Sequence, residues 1–249
     1  MMGPMRIAYR EHLDNFAHDL IVMCDTVRSI MTNASEALLT ASLEPAEDAI
    51  SSADSLNEIK LRCEDRAVEL LALEGPLARD LRQVVSSIYI VEDFARMGAL
   101  AVHIAKSARR RHPEHTLPTP LQGYFEELAR LVNEMGEKTR DILVDPNADV
   151  AIVLNADDDA VDDLHSYILT SLTQRDWPHS TREAVDVSLL ARFYERYADH
   201  CVNVAARIVY LSSGLSPDEY ARKKERDRED ADVAARFAEL ERQFSRRGD

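Results

Sequence analysis

Five aspartates fall within seven residues: Asp157, Asp158, Asp159, Asp162 and Asp163. On a helix such a run is unfavourable. Aspartate is a poor helix former, and like charges four apart repel by about 0.2–0.5 kcal/mol per pair. Acids are welcome near a helix N-terminus, but these lie about ten residues inside the helix that begins near Asn147. Their direction matters more. Leu154, Asp158, Asp162, His165, Leu169 and Leu172 are spaced 4-4-3-4-3, so Asp158 and Asp162 are expected within an apolar stripe. A buried, unpaired carboxylate costs several kcal/mol and is usually neutralised by a cation, a metal or a proton.

A second pair matches the first. Glu195 and Asp199 are i and i+4, which stacks their carboxylates on one helix face, and Asn203 extends that line by a turn. At 100° per residue Glu195 sits about 20° from Val202, at the edge of the apolar arc. Arg196 and His200 adjoin it. Two helices that each present an acid-x-x-x-acid pair can build an oxygen-rich pocket for hard or borderline cations such as Mg²⁺, Mn²⁺, Ca²⁺ or iron. The competing reading is two solvated acid faces balanced by Arg192 and Arg196.

Other catalytic arrangements are missing from the sequence. There is no phosphate-cradling glycine loop and no nucleophile elbow. Cys201 follows His200, but neighbours on a helix point apart, so they form no local dyad. Asp162-x-x-His165 echoes the acid-x-x-His of di-iron bundles, which need two such motifs and two further glutamates. One is present. No catalytic residue and no organic cofactor site is expected.

The elements that must position these groups are long helices. The chain has 249 residues with only 7 glycines and 9 prolines. Leu13, Phe16, Leu20, Met23, Val27, Ile30 and Ala34 keep a strict 3-4 spacing over a helix of about ten turns. Pro45 marks its end and the next start. Leu56, Ile59, Cys63, Ala67 and Leu70 continue the pattern on a second helix, which Gly75-Pro76 breaks. A third is expected from about Leu77 to Arg111, with Leu77, Leu81, Val84, Ile88, Val91, Ala95, Gly98 and Val102 on one stripe. The stretch from Arg111 to Pro120 holds three prolines and is the best boundary.

The pattern then repeats, with helices expected over about Leu121–Val144, Asn147–Gln174 and Thr181–Ser212, the last ending at Gly214. At an offset of 100, Arg96, Val102 and Ala105 pair with Arg196, Val202 and Ala205, and Gly98 pairs with Ala198. The fold class is therefore all-α, with two tandem homologous three-helix bundles over 6–112 and 117–214. Residues 215–249 form a charged tail, either a solvated helix or a frayed extension. Its basic cluster, Arg222, Lys223, Lys224 and Arg226, is interrupted by acids.

Charge and cysteines bound the function. Thirty basic against 45 acidic residues leave a net charge of −15. A body this acidic repels phosphate backbones, which argues against nucleic-acid binding and favours cations or basic protein surfaces. Cys24, Cys63 and Cys201 form no C-x-x-C pair, as expected for free thiols in a reducing compartment. Cys24 and Cys63 lie on apolar stripes and read as core residues. No run of 18 apolar residues is present, and the start lacks a secretion-signal core, so a cytoplasmic protein is expected. Met5 is an alternative natural start.

The stretch Ala191-Arg-Phe-Tyr-Glu-Arg-Tyr-Ala-Asp-His-Cys-Val-Asn-Val-Ala205 resembles the signature of the PhoU family. Asp93-Phe-Ala-Arg-Met-Gly-Ala-Leu-Ala-Val-His-Ile-Ala105 is similar to its first-repeat copy. Pro76-Leu-Ala-Arg-Asp-Leu-Arg-Gln-Val84 matches the approach to the third helix, and Asp158 to Leu164 resembles the D-x-x-V-D-x-L pattern of the second. The likeness covers about residues 6 to 213.

This resemblance implies a cytoplasmic, non-enzymatic regulator of phosphate uptake, acting alone or as a homodimer. It implies partners too: the ATPase-bearing phosphate ABC transporter and a sensor histidine kinase, whose phosphate-starvation signalling it restrains. Family acid-x-x-x-Asp motifs can hold metal, and here they fall on Glu195 and Asp199, with Asp158 and Asp162 as partners. The ion would be Mg, Mn, Fe or Zn, with His165, His200 and Asn203 in an outer shell. The first-repeat acids are replaced by Ala95 and Ala99, and the second-helix positions by Ala53 and Asn57, so one metal site per chain is expected. The alternative is a carboxylate-bridged di-metal helical-bundle enzyme, which needs a His-rich shell; only His165 and His200 are near the acids. A purely structural bundle with solvated acids is the third reading.

Overall fold

The structure is a computed structural model that describes residues 4–73, 78–173 and 176–245. Seven helices account for almost all of it: α1 (Pro4–Thr40), α2 (Leu43–Leu73), α3 (Ala78–Arg111), α4 (Gln122–Val144), α5 (Ala148–Thr173), α6 (Thr181–Ser213) and α7 (Pro217–Ser245). One turn of 3-10 helix, Thr119–Leu121, leads into α4.

The helix ends follow from local chemistry. Ala41, at φ 53°, breaks the chain between α1 and α2, so α2 begins before Pro45. The expected break at Gly75-Pro76 and the ends at Leu77 and Gln174 lie outside the described residues. Asn147 Oδ1 accepts from the Asp149 amide at 2.9 Å and starts α5. Ser180 and Glu183 form a capping box at α6. Gly214, at φ 76°, closes α6 with its amide on the Tyr210 carbonyl, a left-handed position that favours glycine. Ser216 and Glu219 exchange bonds of 3.3 and 2.9 Å in the same reciprocal way, so the tail begins as a capped helix.

Helices α1, α2 and α3 pack on one another, as do α4, α5 and α6. The two trios are joined through α1 against α4 and α3 against α6, and one continuous core runs through both. Helices α2 and α5 therefore lie outermost. All seven stripe residues of α1 and all five of α2 are buried, each contributing about 1.5–3 kcal/mol of transfer free energy for the large side chains. Cys24, Cys63 and Cys201 are buried and free.

Polar contacts fix the seam between the trios. Tyr194 Oη donates to Ser35 Oγ at 2.9 Å in a dry setting, and Arg140 Nε reaches Asp25 at 2.7 Å. Arg111 of α3 pairs with Asp186 of α6 at 3.4 Å.

The register of α3 differs from expectation. Val84, Val91 and Val102 are buried, but Leu81 and Ile88 are 42% and 37% exposed. Helix α3 is packed by α1, α2 and α6 at once. Its burial is carried by a second line, Ile90, Phe94, Met97, Ala101 and Ile104. Gly98 meets Leu56 so closely that a methyl group there would clash, which lets α2 and α3 approach.

Among the described contacts, helix α7 meets the body near its start. Tyr220 Oη donates to Asp149 Oδ1 at 2.8 Å, and Lys224 Nζ to the same oxygen at 2.7 Å. Residues 221–239 are exposed.

Candidate metal centre

Helices α5 and α6 run against each other and bring the two acid pairs to one groove. The buried line of α5 passes through Ala151, Leu154, Val161 and Ile168. Asp158 falls on that line and is half-buried. Asp162, four residues on, is rotated by about 40° and stands exposed at the rim, so it does not share the buried stripe expected for it. Glu195 of α6 is 8% exposed and Asp199 is half-buried.

Two carboxylate oxygens are orphaned. Asp158 Oδ1 and Glu195 Oε2 are both removed from water and have no hydrogen-bond partner. The other Glu195 oxygen takes a bond from Arg192, and Asp199 Oδ2 pairs with Arg196 Nη1 at 3.2 Å. Four carboxylates face two guanidiniums, so the groove is formally −2 when every acid is ionised.

That imbalance appears in the acidities. Burial, then Asp162, Asp199, Glu195 and Asp159, push the Asp158 carboxyl from 3.8 up to about 6. Glu195 is raised first by burial and then by Asp199, against the pull of Arg192. Burial and Arg192 hold the His165 imidazole below its ordinary range, with Asp162 opposing. A neutral imidazole beside hard oxygens is a competent metal ligand.

The set fits a small hard cation in donor chemistry and in charge. It is not closed around one point: among the described residues no three His, Cys, Asp or Glu side chains converge closely enough to hold an ion. The arginines occupy part of the acids instead.

The flanking residues expected in an outer shell separate. His165 stays at the groove. His200 turns to α3, where its Nδ1 meets Asp93 Oδ1 at 2.8 Å with both side chains largely buried. Asn203 is exposed and lines a different cleft. Asp157 is taken by Lys138 of α4 at 2.7 Å. In the first repeat the matching positions Ala53, Asn57, Ala95 and Ala99 line a cavity of about 270 Å³. Lys60, His103 and Lys106 border it, and His103 stacks on Phe193 at 5.3 Å.

Sequence reasoning missed one buried charge. Asp19 of α1 is 6% exposed and accepts from Arg62 Nε at 3.1 Å and Arg66 Nε at 3.0 Å, a clamp between α1 and α2. The spacing of Arg62 and Arg66 was the available signal.

Residues 20–108 and 125–208 each match the PhoU domain. The chain belongs to the PhoU family. It is 45% identical over 213 residues to the phosphate-specific transport system accessory protein PhoU homolog 2 of Mycobacterium tuberculosis, covering 86% of this chain and 100% of that one. It is 42% identical to PhoU homolog 1 of Mycobacterium leprae, covering 86% and 97%. The crystal structure of PhoU from Pseudomonas aeruginosa has the same fold, with a TM-score of 0.75 at 23% identity over 83% of this chain and all of that one. Helix α7 lies beyond both PhoU repeats. No described helix is long and apolar enough to cross a membrane.

Proposed function

We propose that this protein is a non-enzymatic accessory of phosphate uptake that carries one metal-responsive carboxylate centre. Membership of the PhoU family supports the phosphate role, because the curated relatives are named as accessory proteins of a phosphate-specific transport system. The protein works in the cytoplasm, alone or as a homodimer. It docks on the ATPase subunit of the phosphate transporter and on a sensor histidine kinase, and holds the starvation response down while phosphate is plentiful. The strongly acidic body suits basic partner faces.

The observation that carries the metal reading is the pair of orphaned oxygens on facing helices, Asp158 Oδ1 and Glu195 Oε2. Asp158, Glu195 and Asp199 would hold the ion, with Asp162 at the rim and His165 beside it. Asp158 of α5 with Glu195 and Asp199 of α6 would share a divalent ion, which would offset the groove's excess charge and tie the two helices together. The ion's contribution is charge and cross-linking. Arg192 and Arg196 partner the acids in its absence.

The regulator reading is tested by using the full chain as bait in phosphate-replete cells. Co-recovery of a phosphate-transporter ATPase and a histidine kinase is expected, and loss of the protein should switch starvation genes on in high phosphate. Recovery of neither partner, together with normal repression, would contradict it.

A further inference from the structure

A second polar site lies at the other end of the α3–α6 seam. It is a cleft of about 560 Å³ between α3, α6 and the start of α7, within the size range of sites for organic ligands. Its walls carry two arginines, Arg96 and Arg207, and neither has a carboxylate partner among the described residues. What sets these two apart from the other cations is that both border one cleft.

The acids in the cleft are already committed. Glu92 holds Lys60 at 2.8 Å, and Asp93 holds His200 at 2.8 Å. Both carboxylates therefore turn to partners on other elements, Lys60 of α2 and His200 of α6, and not to the two arginines. Arg207 lies over the Tyr89 ring, its Cζ 4.0 Å from the centroid, a contact with the ring face that uses none of its hydrogen-bond donors on a carboxylate. Asn203, Tyr210 and Ser216 add neutral polar groups to the lining. Arg82 stands beside Gly214, two residues before Ser216, with its buried Nε unpartnered.

The internal repeat explains how Arg96 became free. Its counterpart Arg196 is paired with Asp199, three residues along α6. In the first repeat that position is Ala99, so the same arginine is left without an acid. The same substitution of alanine for acid leaves the first repeat with neither a carboxylate pair nor a partner for this guanidinium. Arg207 has no basic counterpart, since position 107 is serine, so the cleft belongs to one side of the molecule only.

We infer that the cleft between α3, α6 and α7 binds a phosphoryl group, with Arg96 and Arg207 as its two clamps. Planar guanidiniums match the oxygens of a phosphoryl group in paired, charge-assisted bonds. The volume leaves room for an organic body on that group, such as a nucleoside. Free phosphate and a nucleotide share this recognition chemistry and differ in what fills the rest of the cleft. The site is separate from the carboxylate centre and stands without it.

The test is calorimetric titration of the full, chelator-treated chain with inorganic phosphate in one arm and adenosine diphosphate in the other. Chelation removes any route through a bound metal. Binding in the phosphate arm alone identifies free phosphate as the source, and tighter binding in the nucleotide arm identifies an organic phosphate. In either case Arg96→Gln and Arg207→Gln should each weaken binding about tenfold or more. Ala99→Asp, at an exposed position, should weaken it as well by supplying Arg96 with the partner that Arg196 has. Absence of binding in both arms at millimolar ligand, or binding that survives both arginine substitutions in chains with unaltered melting, overturns the proposal.

Discussion

Asp158 on α5 and Glu195 on α6 each hold one oxygen out of water with nothing to bond it, and the two face the same groove. Neither acid is isolated: Glu195 helps to raise the pKa of Asp158, and Asp162 and Asp199 raise both. The strain in this groove is electrostatic, and its consequences can be measured without knowing the partner proteins.

The first consequence is a dependence of stability on pH. The Asp158 carboxyl titrates near 6 in the folded chain against 3.8 ordinarily. The folded state therefore holds that proton more tightly than the unfolded one. Ionising Asp158 opposes folding; the penalty is absent below the ordinary carboxylate range, grows between about pH 4 and pH 6, and is complete above. Two pH units correspond to about 3 kcal/mol, an upper value because the side chain is only half-buried. In chelator, Asp158→Asn should stabilise the protein by about 1–3 kcal/mol above pH 7 and flatten its gain on acidification. Urea unfolding on both sides of pH 6 measures this, and equal slopes in both proteins would contradict it.

The seam between the trios makes a second prediction. Tyr194 and Ser35 share a buried bond of 2.9 Å across 159 residues of sequence. Tyr194→Phe leaves the Ser35 hydroxyl without it and should cost about 1–2 kcal/mol. The unfolding transition should stay single, because one core runs through both trios. Separate transitions for the two halves would contradict that shared core.

Helix α7 makes a third. Residues 221–239 are exposed, and its ties to the body among the described residues are Tyr220 and Lys224 on Asp149. Exposed pairs of this kind contribute about 0–1 kcal/mol. A chain ending after Leu215 should melt within a few degrees of the full one. A large fall in Tm would mean that α7 shields more of the body than its contacts indicate.

Much of this was legible from spacing. The α1 and α2 stripes are buried at every named position because each helix hides one face. The α3 register was misread at Leu81 and Ile88, because a helix packed from two sides has two buried lines and periodicity alone selects one of them. Asp158 and Glu195 were legible as acids at apolar positions, whereas Asp162 was carried along by a 4-4 spacing that drifts out of the arc. His200 was read with the acids of its own helix; its partner Asp93 lies 107 residues away, a distance no local pattern reports. The α7 cap, Ser216-x-x-Glu219, was present in the sequence as a helix-start signal.

Metal content decides whether α5 and α6 hold an ion between them. The purified chain, loaded with Mn²⁺, Mg²⁺, Fe or Zn²⁺ in turn and freed of excess, should retain a single site's occupancy of at least one of these ions. Asp199→Ala and Glu195→Gln should lose it while keeping their helical signal. Retention in those variants, two equal sites per chain, or no retained ion of any kind would contradict a single carboxylate centre between α5 and α6.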